Sequence, residues 1–437
     1  MSYTVSFYTL GCRVNQYESD AIAEALEREG FVVVPFGSRS DVAVVNTCTV
    51  TSESDRKSRQ AVRKAARNFP DTKIVVIGCS SQIAPELFTP KEKIYHISGN
   101  TEKDKIAGFI KNLAADKEAI TKAANSTRDI STAEYDELTI THARRARAYV
   151  KIEDGCENRC AYCIIPKARG PVRSKAEETV ISEVKEIAKS CPEIILTGIE
   201  TASYGRDRKE KGALEELLVK VSGIEGITRL TVGSLDPNIL NEHFLETVSN
   251  IPSFLPHLHI SMQSGCTSVL NRMRRKYNAE KALERIEKTR EYIPDITFSA
   301  DVIVGFPGET DEEFKKTVKF FKAARFMHLH IFPYSIRPGT EAAEMKDQVP
   351  ENVKHERCRR LAEVQAEIKK EILEKYVETY KDGGAGVLFE QQQKGINIGH
   401  SRHYIEVRVA DEKDLSNTVV DVKLTHTDGE ICYGEIK

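Results

Sequence analysis

The first part of the chain alternates short apolar runs with longer polar stretches of helical periodicity. TVSFYTL, DVAVVNT and KIVVIG predict buried strands, and QYESDAIAEALEREG and SESDRKSRQAVRKAARNF predict the helices between them. Strands that alternate with helices form parallel sheets that the helices cover. We therefore predict a small parallel α/β domain over residues 1–115.

A longer alternating series begins at residue 142. Helix-length stretches such as KAEETVISEVKEIAKS and DEEFKKTVKFFKAA separate six predicted strands, which are RAYVKIED, EIILTGIE, RLTVGSL, HLHISMQSG, TFSADVIVGF and MHLHIFPYS. Six such repeats make a partial, TIM-like (βα)6 barrel, short of the closed eight-stranded form. Residues 116–141, between the two series, have little apolar periodicity and no strand signal, so we predict a linker there.

The end of the chain shows a third pattern. HERCRRLAEVQAEIKKEILEKYVETY predicts a long amphipathic helix that leads out of the barrel domain, residues 142–373. It is followed by the short alternating segments AGVLFEQQ, YIEVRVA, TVVDVKLTHT and EICYGEI, which indicate a small β-barrel over residues 374–437. The predicted fold class is therefore α/β, with a parallel domain, a partial barrel and a small C-terminal β-barrel.

Length and charge narrow the class of protein. A chain of 437 residues is long enough for two to four domains, and a net charge of −2 does not by itself indicate a polyanionic partner. No run of about 18 apolar residues is present, and MSYTVSFYTLGC lacks the basic and apolar regions of a secretion signal. We expect a cytoplasmic protein with no membrane partner.

Three of the ten cysteines follow the predicted strands of the first domain. Cys12, Cys48 and Cys79 occur in LGCRVN, NTCTVT and IGCSSQ, each after a strand. The carboxyl ends of parallel strands meet at one edge of a sheet, where ligands bind. The three thiols are therefore expected to converge, as iron–sulfur cluster ligands do.

Three further cysteines, Cys156, Cys160 and Cys163, lie together in DGCENRCAYC, after the first barrel strand. Three thiolates are one short of a structural zinc site or of the four irons of a cubane cluster, which leaves one position open. A zinc site would need a fourth ligand, and no histidine is nearby. The remaining cysteines are expected to be small buried hydrophobes; they are Cys191, Cys266, Cys358 and Cys432.

Glycines and polar residues end the following barrel strands, where barrel enzymes hold their ligands. The alternative for each glycine is a tight turn, and for each acid a helix cap or a solvated loop. The candidates are Gly198, Glu200, Ser234, Gln263, Asp301 and Gly305.

The CxxxCxxC loop, with Tyr162 before its last cysteine, resembles that of the radical S-adenosylmethionine (SAM) superfamily. The resemblance implies that the three thiolates hold a [4Fe–4S] cluster and that the amine and carboxylate of SAM occupy its open iron. An electron from the cluster then cleaves SAM to a 5′-deoxyadenosyl radical. Tyr162 and the six strand-end candidates are the residues implied to contact SAM.

Over nearly its whole length the chain resembles the methylthiotransferases, which combine an N-terminal cluster domain, a radical SAM core and a C-terminal TRAM barrel. The resemblance implies a second [4Fe–4S] cluster on Cys12, Cys48 and Cys79, whose open iron holds a sulfur atom. Enzymes of this family insert sulfur at an unactivated carbon and cap it with a methyl group. A reducing electron donor and a sulfur donor are therefore implied as partners.

LGCRVNQYES, NTCTVT and EDGCENRCAYCIIPKARG are most similar to the branch that modifies N6-threonylcarbamoyladenosine at position 37 of the tRNA anticodon loop. The isopentenyladenosine branch usually has glutamine and methionine after the first cysteine, and the ribosomal-protein branch proline and lysine. This chain has Arg13 and Val14 there. The alternatives are isopentenyladenosine-37, a ribosomal-protein aspartate, or an iron–sulfur redox sensor that binds RNA.

Local basic runs are the candidate tRNA contacts, although solvated helix faces would explain each run as well. They lie in ARRARAYVK, in IIPKARGPVRSK and at Arg272, Arg274, Arg275 and Lys276. The C-terminal barrel has seven Lys and Arg against ten Asp and Glu over residues 381–437. Contact there is expected from a few residues such as Arg402, His403 and Tyr404, or chiefly from the other domains.

Overall fold

The computed structural model of the chain describes residues 3–88, 93–115 and 124–437. Its elements form a parallel α/β sheet, a half-open parallel barrel and a closed five-stranded barrel, so the predicted fold class is confirmed. Within the described residues no helix is long and apolar enough to cross a membrane.

The first group of elements builds one six-stranded parallel sheet in the order β2-β1-β3-β4-β5-β6. The central strand β3 is buried along its whole length, as expected of an apolar run between two helical layers. Its strands are β1 (Thr4–Thr9), β2 (Val32–Val34), β3 (Val42–Thr47), β4 (Lys73–Gly78), β5 (Ile94–Ile97) and β6 (Ala124–Asn125). Its helices are α1 (Arg13–Arg28), α2 (Ser52–Asn68), α3 (Cys79–Ile83) and α4 (Ile106–Ala115).

Parts of the segment predicted as a linker, residues 116–141, contact both the first domain and the barrel. Its strand β6 pairs with β5, so the expectation of no strand there is wrong; two residues are too few to show a period. Residues 116–123 lie outside the described part of the chain. Farther along, the Tyr135 hydroxyl donates to the Lys151 carbonyl at 2.8 Å, and the Ile140 amide donates to Glu183 at 2.8 Å.

The second group forms the partial barrel from two three-stranded parallel sheets, β7-β10-β11 and β12-β13-β14. Isolated bridges from Leu230 to Phe254 and from Leu235 to Ile260 join the sheets. Their six strands are β7 (Ala148–Lys151), β10 (Glu193–Thr197), β11 (Arg229–Val232), β12 (His257–Gln263), β13 (Thr297–Val304) and β14 (His328–Pro333). The short strands β8 (Glu153–Asp154) and β9 (Arg173–Ser174) pair with each other in a separate antiparallel sheet. The helices are α5 (Ile165–Arg169), α6 (Glu177–Ala188), α7 (Ala213–Ser222), α8 (Glu242–Ser249), α9 (Thr267–Arg272), α10 (Ala279–Tyr292), α11 (Asp311–Ala324) and α12 (Glu351–Tyr380).

The first domain covers the open side of this barrel, where β7 and β14 are the edge strands. Helix α1 packs against β7. At the other edge, the hydroxyls of Ser52 and Ser335 lie 2.8 Å apart, and Arg337 donates to the Thr49 hydroxyl at 2.6 Å. The interior of the barrel is therefore bounded by both domains.

The small C-terminal barrel docks on the larger barrel, at the end where the strands of the larger barrel begin. Arg229, the first residue of β11, pairs with Glu193 at 2.5 Å and donates to the Ser401 carbonyl at 3.0 Å. Thr297, the first residue of β13, donates to the His403 carbonyl at 2.7 Å. The strands of the small barrel are β15 (Ala385–Gln393), β16 (Ile396–Ser401), β17 (Glu406–Ala410), β18 (Val419–Thr427) and β19 (Cys432–Ile436).

The three residues named as candidate RNA contacts in this barrel, Arg402, His403 and Tyr404, take part in the docking. Arg402 donates to the Pro252 carbonyl at 2.7 Å, and the His403 ring is buried. The Tyr404 ring stacks on His257 with centroids 4.8 Å apart. All three side chains hold the small barrel against the larger one.

We expect Arg229→Gln to destabilise this interface strongly. Removing the guanidinium leaves carbonyl groups of the small barrel without a donor and weakens the pairing of buried Glu193, a loss of about 3 kcal/mol. Urea unfolding and hydrogen exchange over residues 385–436 would measure it. The matched control is Arg408→Gln, which removes a partly exposed pair with Glu406 and should change stability by less than about 0.5 kcal/mol. Equal effects of the two substitutions would contradict this account.

Candidate active site

The three cysteines of the first domain lie at one edge of its sheet, as the strand ends predict. Cys48 directly follows β3, Cys79 directly follows β4, and Cys12 is the N-cap of α1. A β-carbon placed on Gly11 would lie 2.8 Å from the Cys48 sulfur. Burial and then repulsion from Cys79 raise the pKa of Cys48 to about 12.

Two side chains from different domains donate hydrogen bonds to the sulfur of Cys79. The Asn100 amide and the Arg169 Nε each lie 3.3 Å from it. Asn100 also donates to the Ala168 carbonyl at 2.8 Å. Because Arg169 and Ala168 belong to α5, which follows the cysteine loop of the barrel, one short segment connects the two cysteine groups.

A buried cluster of charges surrounds Arg169. Its guanidinium pairs with Glu18 at 2.6 Å and with Asp154 at 3.0 Å. Glu18 also pairs with Lys103, and with Lys151 at 3.0 Å. Although burial opposes ionisation, the nearby cations hold the pKa of Glu18 well below its usual range. These ion pairs join α1 of the first domain to β7 and α5 of the barrel.

The three barrel cysteines form a second group around the loop after β8. The backbone amide of Cys163 donates to the Cys160 carbonyl at 3.1 Å, and the backbone amide of Asn158 donates to the Cys156 sulfur at 3.4 Å. Burial raises the pKa of Cys156 and of Cys163 to about 12. Both thiols are therefore protonated in the metal-free chain and would exchange their protons for metal on binding.

Neither group has the geometry of a single-ion site. Within the described ranges, no three His, Cys, Asp or Glu side chains converge closely enough to hold one metal ion. In a cubane cluster each thiolate binds a different iron, so three cysteines need not converge on one ion.

A cavity of about 170 Å³ adjoins the barrel cysteines. Its wall includes Cys163 and three of the predicted SAM contacts, Tyr162, Gln263 and Asp301. Gln263 has a φ of +63°, a strained conformation for a residue with a side chain, which turns the chain at the end of β12. The structure thus brings together predicted residues from the cysteine loop, from the end of β12 and from β13. Asp301 lies within β13 rather than at its end, so the expectation that it ends its strand is wrong; the strand continues to Val304.

Glu200 lies beside this cysteine loop. Its carboxylate accepts a hydrogen bond from the side-chain amide of Asn158 at 3.2 Å. Burial, followed by repulsion from Asp236, raises the pKa of Glu200 to about 7. Its amide donates to Glu153 at 2.8 Å. One carboxylate oxygen of Glu200 and one of Glu153 are buried without a hydrogen-bond partner among the described residues. Two buried acceptors without donors are suited to a cationic ligand.

The other three predicted contacts have different surroundings. Gly198 has no room for a side chain because the Glu153 carboxylate lies where a β-carbon would be. Gly305 has a φ of +70° and packs against the stem of Lys354. Ser234 is half-buried in the loop after β11 and does not line the cavity beside Cys163.

Four residues were not predicted to lie at the cysteine groups, although Arg169 and Arg275 belong to basic runs considered as tRNA contacts. Three of them, Asn100, Arg169 and Arg275, bind cysteine sulfurs; Arg275 donates to Cys160 at 3.3 Å. The fourth is Glu153. The sequence offered one hint of Arg169, because PKARG closely follows the cysteine motif. The spacing of residues does not reveal which basic side chain of such a run points into the interior.

The basic runs expected to contact tRNA are largely occupied by internal acids. Arg272 pairs with Glu313 at 2.7 Å, Arg274 with Glu341 at 2.8 Å, and Arg275 with Asp236 at 2.9 Å. The other runs behave similarly, since Arg144, Arg145, Arg147, Arg169, Arg173 and Lys175 all form ion pairs. Most of these cations therefore hold the structure together.

Comparisons with known proteins agree with this arrangement. The Radical SAM superfamily model matches residues 150–321, and that of Uncharacterized protein family UPF0004 matches residues 4–99. The chain is 37% identical over 428 residues to the threonylcarbamoyladenosine tRNA methylthiotransferase MtaB of Bacillus subtilis (strain 168), covering 96% of this chain and 93% of that protein. The chain belongs to the radical SAM methylthiotransferase family. The predicted family and the prediction of an enzyme are thus confirmed.

Other relatives of this methylthiotransferase carry different substrate names. It is 33% identical over 443 residues to the tRNA-2-methylthio-N(6)-dimethylallyladenosine synthase of Thermoanaerobacter pseudethanolicus (strain ATCC 33223 / 39E), covering 98% of this chain and 91% of that one. The radical SAM methyltransferase TsrM of Kitasatospora setae shares its fold, with a TM-score of 0.58 and 16% identity over 78% of this chain and 77% of that one. Family membership implies a [4Fe–4S] cluster and SAM as cofactors.

We expect Arg169→Met to lower the free energy of unfolding of this methylthiotransferase by about 3–5 kcal/mol, because Glu18 and Asp154 lose a buried counter-ion. Denaturant unfolding under anaerobic conditions would measure the change. Arg56→Met is the control, since it removes an exposed pair with Glu53 and should leave the free energy of unfolding nearly unchanged. An unchanged stability of the Arg169 variant would exclude a stabilising role for the charge cluster.

Proposed function

We propose that the chain is a tRNA methylthiotransferase that converts N6-threonylcarbamoyladenosine at position 37 into its 2-methylthio derivative. The observation that carries the proposal is the pair of three-cysteine groups joined through Arg169, in a chain similar along almost its whole length to MtaB proteins. Three thiolates leave one iron of a cubane cluster open, and two open irons allow two separate roles.

In this proposal Cys156, Cys160 and Cys163 hold the cluster that works with SAM. Glu200 and Glu153 would accept hydrogen bonds from the N–H groups of the SAM amine, because each has a buried carboxylate oxygen without a partner in the described residues. The remaining assigned contacts are Tyr162, Gln263 and Asp301 on the cavity wall, with Gly198, Ser234 and Gly305 at neighbouring strand ends.

Cys12, Cys48 and Cys79 are proposed to hold the second cluster. Cys12 caps the N-terminus of α1, where the helix dipole favours negative charge. Asn100 and Arg169 would stabilise the thiolate of Cys79 by donating hydrogen bonds to it. When bound, the two clusters and SAM would supply the one-electron chemistry needed to break an aromatic C–H bond and a site that presents sulfur.

The protein side chains then bind, orient and shield the reactants. No side-chain acid or base is assigned to the reaction. The first domain and the barrel enclose the shared interior, which would limit access of water. A reducing electron donor and a sulfur donor are required from outside the chain, and the proposal assigns neither a binding surface.

We expect Gly11→Ala to impair the second cluster. Gly11 has a φ of +99°, which is unfavourable for alanine, and the added β-carbon would lie 2.8 Å from the Cys48 sulfur. Iron and sulfide would be counted after anaerobic reconstitution of protein in which Cys156, Cys160 and Cys163 are replaced by alanine. The control is Gly108→Ala in α4, where a β-carbon has open space. Full iron loading of the Gly11 variant would contradict the assignment.

Mass spectrometry of tRNA nucleosides tests the function itself. A strain lacking the gene should lose 2-methylthio-N6-threonylcarbamoyladenosine and regain it with the wild-type gene, but not with Cys79→Ala or Cys160→Ala. Cys191→Ala should restore it, because this buried thiol contacts the Ala146 and Glu193 carbonyls, where β7 and β10 begin, and not the strand ends. An unchanged level of the nucleoside would reject the proposal. Loss of the methylthio-isopentenyl nucleoside, or of a methylthiolated ribosomal peptide, would identify another branch.

A further inference from the structure

A cavity of about 480 Å³ lies inside the barrel, and all three domains contribute to its wall. On β11 to β14 the apolar residues Leu230, Ile260 and Ala300 face the helices, so the alternate residues face the interior. Those interior residues are polar. The wall combines Thr231, His259, Ser299 and His330 from the strands, Arg13 from α1 and Tyr404 from the small barrel.

The size and chemistry of the cavity suit a nucleoside. Ligand pockets typically enclose about 300–1,000 Å³ and combine rings with a few polar groups. Burial lowers the pKa of His257 and of His330. The Asp301 carboxylate opposes this for His330, whereas the charges of His259 and Arg13 lower the pKa of both rings further. Neutral imidazoles offer both a donor and an acceptor to a base, and their rings can stack on it.

Arg13 is the one cavity cation for which the described part of the chain supplies no carboxylate partner. The two acids in the wall already have cations of their own, because Glu430 pairs with Lys369 at 2.7 Å and Glu406 with Arg408 at 2.8 Å. The guanidinium of Arg13 lies 5.7 Å from the centroid of the Tyr149 ring.

Arg145 provides an internal comparison. It lies over the same Tyr149 ring at 5.9 Å but pairs with Asp20 at 2.8 Å. Arg13 is only half-buried and follows Cys12 directly, so it brings an uncompensated positive charge next to the first cysteine group. An arginine in this position is suited to an anionic group on a ligand.

We propose that Arg13 is a specificity residue that binds the carboxylate of the threonylcarbamoyl group while the imidazoles surround the adenine. This inference rests on the proposed function. A guanidinium matches a carboxylate with two parallel hydrogen bonds. A dimethylallyl group has no charge, and would leave Arg13 desolvated without a partner, so the same residue favours one substrate and disfavours the other.

Binding of two matched RNAs to the reconstituted full-length protein tests the inference without relying on turnover. Both are anticodon stem-loops with threonylcarbamoyladenosine at position 37, and in one the threonyl carboxylate is a methyl ester. We expect the wild-type protein to bind the free carboxylate about 10- to 100-fold more tightly, the range of a charge-assisted hydrogen-bonded pair. Fluorescence anisotropy at fixed salt measures both dissociation constants.

Arg13→Gln should bind the two RNAs equally, and Arg13→Lys should keep part of the preference, because the charge remains while the paired geometry is lost. Arg145→Gln is the control and should discriminate like the wild type. Iron content and thermal midpoint verify that each variant is folded; if Arg13→Gln fails this check, the lysine variant decides. If either folded Arg13 variant prefers the free carboxylate over the methyl ester as strongly as the wild type does, the inference is overturned.

The proposed function and the role of Arg13 can be rejected separately. If the wild-type enzyme makes no methylthio-threonylcarbamoyladenosine in the nucleoside assay, the proposed function falls, and with it the ligand assigned to Arg13. If it makes that nucleoside while Arg13→Gln keeps the full carboxylate preference, the function stands and Arg13 is not the specificity residue.

Discussion

The burial of ionised side chains between the first two domains is the constraint on which the rest of the molecule depends. Glu18 has no solvent exposure and is surrounded by Arg169, Lys103 and Lys151. A buried charge that loses its partner costs several kcal/mol, so a shift of one domain against the other is strongly opposed. Because Arg169 also donates to Cys79, the same charges set the separation of the two cysteine groups.

An incomplete barrel makes this interface necessary. Six strands leave β7 and β14 as edges, and uncovered edges tend to pair with other chains. The first domain covers that side with α1 at one edge and with hydrogen bonds to Ser335 and Arg337 at the other. The opening that a closed barrel would lack becomes the route by which a second set of cysteines reaches the barrel interior.

The sequence predicted the elements whose pattern is local. KIVVIG matches β4 residue for residue, and the strand ends located all six clustered cysteines. It could not predict β6, which has two residues, or the partners of the basic runs. A run of arginines looks the same whether it faces solvent or an acid far along the chain, as Arg147 faces Glu390. Long-range pairing of charges leaves no periodic trace in a sequence.

The small C-terminal barrel is held under the strand starts, through Arg229 and Arg402, while the cysteine loops follow the strand ends. The two mouths of one barrel are therefore built from different parts of the chain. Substitutions at the strand starts can therefore alter how the small barrel is seated while the cysteine loops keep their own contacts.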